Sequence, residues 1–169
     1  MHSERVFDSE KAHRLIGLLK EKGLSVCSCE SLTAGLFTAV LGSVPGASAV
    51  LAGGLVTYMS IEKEILAHVD HEIIERFGVV SSNCAAAMAE NTRKIMRCDY
   101  CVSFTGNAGP SALEGKPAGL VYCAIASRHD LEVYEFHMDG TRNEIRMALV
   151  DQMINHLIHT VLKHYPDQH

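Results

Sequence analysis

Apolar residues fall in short blocks whose period changes along the chain, and those changes predict alternating helices and strands. Ala12, Leu15, Ile16, Leu18 and Leu19 form a helical stripe over residues 8–22, and Gly23 reads as its stop. Leu24 to Cys29 is a compact apolar run that reads as the first strand. A helix is predicted from near Ser31 through Leu36 to Leu41, ended by the turn chemistry of Gly42-Ser43-Val44-Pro45-Gly46. Val50 to Met59 reads as a second strand, residues 60–67 as helical, and 70–77 as a short helix ending at Gly78. Ser81-Ser82 can cap an Ala-rich helix reaching about Met96. Tyr100 to Phe104 is a short buried strand, followed by a Gly- and Pro-rich loop from Thr105 to Gly119. Leu120 to Ser127 and Leu131 to His137, joined by Arg128-His129-Asp130, suit an antiparallel hairpin. A last helix runs from about Thr141 to Lys163, with Ile145, Leu149, Met153, His156 or Leu157, and Val161 on one stripe.

Early alternation of strand and helix, then a hairpin, predicts an α/β fold: a three-layer α/β/α sandwich with a mixed, mostly parallel sheet. No repeat or linker divides residues 1–169, so a single domain is expected. Ligands of such sheets sit at the carboxyl ends of strands. The Ser31 corner, the strand end at Tyr58 and the Thr105 loop are all carboxyl ends and can converge on one cleft.

Composition narrows the function classes. An apolar fraction of 47% and a charged fraction of 21% are ordinary for a globular chain of 169 residues. A net charge of −5 argues against general nucleic-acid binding, while leaving room for a small anionic ligand held by one or two placed cations. No apolar run approaches the roughly 20 residues needed to span a bilayer, and the first residues lack the build of a secretion signal. A cytoplasmic location is the expectation. The six cysteines include Cys27 and Cys29 on one strand face and a Cys98-Asp99-Tyr100-Cys101 spacing. No second pair sits at zinc spacing, so reduced, half-buried thiols are expected. His68-Val69-Asp70-His71 has no visible third ligand for a metal.

The candidate chemistry begins at Cys29-Glu30-Ser31-Leu32-Thr33-Ala34-Gly35, between a strand-like and a helix-like block. A hydroxyl at such a corner faces a cleft, and helix-start N–H groups favour an anion there. Ser31 and Thr33 are equally good helix N-caps. A lysine at 63, after the second strand, and the Thr105–Gly109 loop add a base and a flexible backbone. Lys63 on its own would read as a solvated helix lysine, and Arg142 as a surface charge.

In order along nearly the whole chain, these segments resemble the CinA C-terminal domain family, whose enzymatic members are nicotinamide-mononucleotide deamidases. The likeness rests on Glu30 to Gly35, Val44-Pro45-Gly46-Ala47-Ser48, and Gly54-Leu55-Val56-Thr57-Tyr58 with Lys63. It continues through Gly78-Val79-Val80-Ser81, Thr105-Gly106-Asn107-Ala108-Gly109-Pro110, Lys116-Pro117-Ala118-Gly119, and Gly140-Thr141-Arg142 with Arg146. The resemblance implies an amidohydrolase that converts nicotinamide mononucleotide to nicotinic acid mononucleotide and ammonia by a Ser/Lys mechanism. It implies no metal and no cofactor. Ser31 would be the nucleophile and Lys63 the base, with Tyr58 or Thr33 orienting Lys63 or the substrate. Amides near the Ser31–Gly35 helix start would hold the oxyanion. Thr33, Ala34, Gly35, Thr105, Gly106, Asn107, Ala108, Gly109 and Arg142 would contact the substrate. Glu62 and Glu64 are expected to point toward water, since close carboxylates would keep Lys63 charged. The expected partner is a small-molecule nucleotide, with neither nucleic acid nor membrane, and family members commonly associate as homo-oligomers.

Three departures from the family pattern stand out. Ala34 replaces a glycine, Gly53 replaces an arginine, and Ser111-Ala112-Leu113 replaces a Gly-Gly pair. Two other readings stay open: a non-catalytic nucleotide-binding or regulatory member, and an amidase for a related pyridine amide.

Overall fold

The computed structural model describes residues 9–167; the expected helix start at residue 8 lies outside them. Helix α1 (Glu10–Lys22) opens with Ser9 accepting from the Ala12 amide and closes at Gly23, whose left-handed φ of 66° satisfies the last carbonyls. Strand β1 (Val26–Glu30) is buried along its whole length. Helix α2 (Leu36–Gly42) and a 3-10 turn (Ala47–Ala49) lead to β2 (Leu51–Val56). Then come α3 (Ser60–Ile65), α4 (His71–Phe77) and α5 (Ser82–Met96). Strands β3 (Tyr100–Gly106), β4 (Leu120–Ala126) and β5 (Leu131–His137) precede α6 (Arg142–His164).

The strand order is β2-β1-β3-β4-β5. β1 is parallel to both β2 and β3, and the β3–β4 and β4–β5 pairs are antiparallel. The sheet is therefore mixed and evenly divided. Period 2 sorts its residues between two cores. Val26, Tyr100, Val102, Phe104, Val121 and Ile125 pack under α1, α2 and α6. Cys27, Cys29 and Cys101 face the other side, against Cys84 and Met88 of α5 and Ile73 and Ile74 of α4. These are the three layers that the alternating blocks predict.

Two of the boundaries that differ from the sequence pattern matter for the site. The second strand ends at Val56 rather than Met59, because Met59 already caps α3 and its carbonyl accepts from Glu62. The helix expected from Ser31 begins only at Leu36. Ser31 to Gly35 form a turn, closed by Ala34 N–H to Ser31 C=O at 3.0 Å and Leu36 N–H to Thr33 C=O at 2.9 Å. Neither Ser31 nor Thr33 caps the helix; Gly35 does, at φ 92°.

Ala34 also sits in the left-handed region, at φ 48°, with its side chain at the surface. An L-residue there costs about 1 kcal/mol relative to glycine, and an exposed methyl recovers little of it. Ala34→Gly is expected to raise stability by about 0.5–1 kcal/mol, read from the urea midpoint at unchanged slope. A lower midpoint would show that the turn is not strained at this residue.

Candidate active site

The parallel register builds the site. Glu30 at the end of β1 lies opposite Val56 of β2 and Phe104 of β3. One residue further on, Ser31 N–H donates to Phe104 C=O at 3.0 Å, and Thr57 N–H donates to Glu30 C=O at 2.9 Å. Ser31 and Thr57 are thus fixed side by side at the carboxyl ends of adjacent strands. Lys63, one turn into α3, reaches back between them. Its Nζ lies 3.0 Å from Ser31 Oγ and 2.8 Å from Thr57 C=O.

Lys63 is only 1% exposed, the most deeply buried charged side chain after Glu30. Burial lowers its pKa below the usual lysine value, opposed by the Cys84 and Cys29 thiols and by Glu114. Glu64 instead turns to His71 at the surface, 3.1 Å away. Neither Glu62 nor Glu64 is among the groups acting on Lys63. An amine held out of water, with its proton disfavoured and a hydroxyl at hydrogen-bond distance, has the geometry of a general base beside a nucleophile. The carbonyl that orients it belongs to Thr57, a backbone group without any side-chain signature in the sequence. Neither Tyr58 nor Thr33 orients Lys63. The Tyr58 hydroxyl accepts from Arg142 at the exposed rim, and the Thr33 hydroxyl is buried without a hydrogen-bond partner.

Ser31 opens into a cleft of about 180 Å³ lined by Leu32, Tyr58, Gly106, Asn107, Ala108, Gly109, Ser111, Leu113 and Arg142. A second hollow of about 490 Å³ adjoins it through Ala108, Gly109 and Arg142 and continues past Pro110 to Asp139 and Gly140. Arg142 lies between them, with Nη1 donating to Gly109 C=O at 2.9 Å and Nη2 to the Tyr58 hydroxyl. Among the described residues no carboxylate pairs with it, so its charge faces the cleft uncompensated.

The other sequence-selected positions take different places. Thr105 is 1% exposed and spends its hydroxyl on Val79 C=O at 2.6 Å. The Asn107 side chain staples its own loop, donating to Lys116 C=O at 3.1 Å and accepting from Leu113 N–H at 3.1 Å. Both hold the loop from inside, and the run from Gly106 to Gly109, with Ser111 and Leu113, borders the cleft. Thr33, Ala34 and Gly35 lie in the turn behind Ser31 and do not line it.

Two amides in the first turn of α2 are already occupied. The buried Glu30 carboxylate accepts from Phe37 N–H at 2.9 Å and Thr38 N–H at 3.1 Å. A second feature beyond sequence reasoning is the loop anchor Glu114. It accepts from Val79 N–H at 2.7 Å and pairs with Lys116 at 3.1 Å. Partial burial would raise its pKa, but the Val79, Lys116 and Val80 hydrogen bonds outweigh this and hold it below the usual carboxylate value.

All six cysteines are free and buried, and burial pushes Cys84 up to about 12. Asp70, of the His68–His71 run, caps α4 through Glu72 N–H at 2.9 Å. The carboxylates and imidazole that come within metal-binding reach are Asp130, Glu132 and His164, far from the cleft, and Lys163 already bridges both carboxylates. No helix among the described residues is long and apolar enough to cross a membrane.

Comparison with known proteins agrees with this architecture. A competence-damage inducible protein of Limosilactobacillus fermentum is 46% identical over 143 residues, which are 83% of this chain and 34% of that protein. One from Geobacillus sp. is 43% identical over 135 residues, 79% of this chain and 32% of that protein. The chain therefore spans about a third of the length of these relatives. The crystal structure of the competence/damage inducible protein CihA from Agrobacterium tumefaciens superposes with a TM-score of 0.85 at 36% identity, covering 88% of this chain and 92% of that one. A competence or damage-inducible protein from Enterobacter asburiae gives a TM-score of 0.87 at 26% identity, covering 90% and 96%. Residues 8–161 match the family model described as the CinA C-terminal domain, and the chain belongs to that family.

Proposed function

We propose that the chain is an amidohydrolase that deamidates nicotinamide mononucleotide by a Ser31/Lys63 mechanism. The observation that carries this reading is the buried Lys63 amine 3.0 Å from the Ser31 hydroxyl. Ser31 Oγ attacks the carboxamide carbon as its proton passes to Lys63 Nζ. When the tetrahedral intermediate collapses, Lys63 returns that proton to the departing –NH2, which leaves as ammonia. Water then attacks the acyl-enzyme. Its proton goes to Lys63 and on to Ser31 Oγ, releasing the carboxylic acid and restoring the dyad. This sequence draws on no metal and no redox cofactor.

Substrate choice is read from the cleft. The compartment at Ser31 has Leu32 and Leu113 to pack a flat ring, and the adjoining hollow offers room for the rest of a nucleotide. Arg142, charged and without a carboxylate partner, stands where the two meet and suits a phosphate.

The test is ammonia release from nicotinamide, its riboside and its mononucleotide, with Ser31→Ala as control. The mononucleotide is expected to be favoured over the riboside by about 100-fold in kcat/KM, a ratio that Arg142→Ala removes. Equal turnover of all three would discard the phosphate reading and leave a general pyridine amidase. Mononucleotide binding with no ammonia release would instead make the chain a binding protein.

A further inference from the structure

We infer that Arg146 is a positioning residue, fixing the turn after Ser31 so that the Leu32 N–H is left to receive the oxyanion. The inference rests on the Ser31/Lys63 reading and assigns the group that would hold the negative charge.

The argument follows from where each amide near the nucleophile goes. Ser31 N–H donates to Phe104 C=O, Ala34 N–H to Ser31 C=O, and Leu36 N–H to Thr33 C=O. Phe37 and Thr38 N–H are taken by the Glu30 carboxylate. Among the described residues, the Leu32, Thr33 and Gly35 N–H groups have no acceptor, and Gly35 does not line the cleft. Thr33 is wholly buried and does not line the cleft, whereas Leu32 lines it beside Ser31. An amide without an acceptor next to a nucleophile is what a developing alkoxide needs, because a preoriented donor stabilises charge that appears only as the reaction proceeds.

The direction of an N–H is set by what holds the peptide groups around it, since each peptide unit is rigid and planar. The unit containing Leu32 N–H is tied through Ser31 C=O to Ala34. The next unit is tied through Leu32 C=O to Arg146 Nε at 2.9 Å. The unit after that is tied through Thr33 C=O to Arg146 Nη2 at 3.0 Å. Nη1 donates to Asn143 Oδ1 at 3.0 Å, which holds the guanidinium flat against the turn. One planar fork therefore grips two consecutive carbonyls, a geometry that an ammonium cannot reproduce. Among the described residues no carboxylate pairs with Arg146, so its charge also lies near the forming oxyanion uncompensated. Arg142 and Arg146, four residues apart on α6, share one helix face. The first lines the cleft, and the second does not but grips the turn.

The experiment compares wild type, Ser31→Ala, Arg146→Lys and Arg146→Met. It measures kcat and KM for ammonia release, thermal unfolding, and inhibition by a pyridine aldehyde that forms a tetrahedral adduct with a serine. Arg146→Met is expected to lower kcat by about 100-fold and weaken the aldehyde by a similar factor, with KM changed less than about threefold. Arg146→Lys is expected to recover part of kcat, since it reaches one carbonyl rather than two. A purely structural role would lower the melting temperature and the amount of active protein without separating kcat from KM. If Arg146→Met does not fold, Arg146→Lys decides: a reduced kcat at unchanged KM supports the inference. Full kcat in either folded variant overturns it, as does a loss carried wholly by KM. A wild type that releases no more ammonia than Ser31→Ala would instead overturn the amidohydrolase reading itself.

Discussion

Ser31→Ala and Lys63→Met are each expected to lower kcat/KM for carboxamide hydrolysis by about 10⁴-fold or more, with the double variant little worse than the poorer single one. Two groups that act on one proton behave as a unit, so their losses do not multiply. The pH profile is the test of Lys63 as the base. Only the neutral amine can accept the Ser31 proton, and burial lowers the Lys63 pKa from 10.5. Log kcat/KM should therefore rise with unit slope as pH rises and level off below that value. The same shift appears in stability. A buried amine with a depressed pKa binds its proton less readily in the folded chain than in the unfolded one. Between the folded and unfolded pKa values the unfolded chain holds more protons, so stability rises with pH through that window. Lys63→Met removes this rise, and urea unfolding of the two proteins from about pH 7 to 10.5 isolates it from the buried thiols that they share. A flat activity profile, or parallel stability curves for the two, would exclude Lys63 as the titrating base.

The layered architecture was legible because each α/β block carries its own signal. A helical stripe stops at Gly23, a short helix stops at Gly78, and the turn at Arg128-His129-Asp130 separates two strands. The site was legible only in part. Ser31 and Lys63 are 32 residues apart, a separation to which no periodicity speaks, and they came into view through motif likeness. Thr57 C=O, which aims Lys63, was invisible because every residue has a carbonyl. Thr105 and Asn107 were read as ligand contacts from the family resemblance and from the backbone freedom of a glycine-rich loop. Here the loop must close over Val79 and Leu113, and both side chains turn in to hold it. The α2 boundary was misplaced for a related reason. Ser31 and Thr33 are good caps by type, but α2 starts only at Leu36, and its Phe37 and Thr38 amides go to a carboxylate from the preceding strand that comes into reach only once strand and helix pack together.

That carboxylate is the second large expected effect. Glu30→Ala should destabilise the chain by about 4 kcal/mol, and Glu30→Gln by about 2 kcal/mol. The Glu30 side chain is fully buried and accepts four hydrogen bonds: Phe37 N–H at 2.9 Å, Thr38 N–H at 3.1 Å, the Thr38 hydroxyl at 2.7 Å and the Ser28 hydroxyl at 2.9 Å. Its charge also meets the positive end of α2. Alanine leaves two buried amides without an acceptor, each costing about 1–3 kcal/mol, while the two hydroxyls still have each other at 2.7 Å. Glutamine keeps one acceptor but turns an NH2 toward donors. For a domain of this size, 4 kcal/mol corresponds to a fall in melting temperature of roughly 8–16 °C. No hydrogen bond joins Glu30 to Ser31 Oγ or Lys63, so the folded fraction of Glu30→Gln should keep the wild-type pH limb in kcat/KM. A loss below about 1 kcal/mol for Glu30→Ala would mean that water or a rearranged turn satisfies the α2 amides. A displaced pH limb would mean that Glu30 acts on the Lys63 proton, contrary to the geometry that separates them. Gly54 closes the same network from the other side. A methyl there would lie 2.4 Å from Ser28 Oγ and 2.5 Å from Thr38 Oγ1. The strand and the helix behind Ser31 are thus held to one another by a single buried carboxylate, while the turn between them is gripped by Arg146.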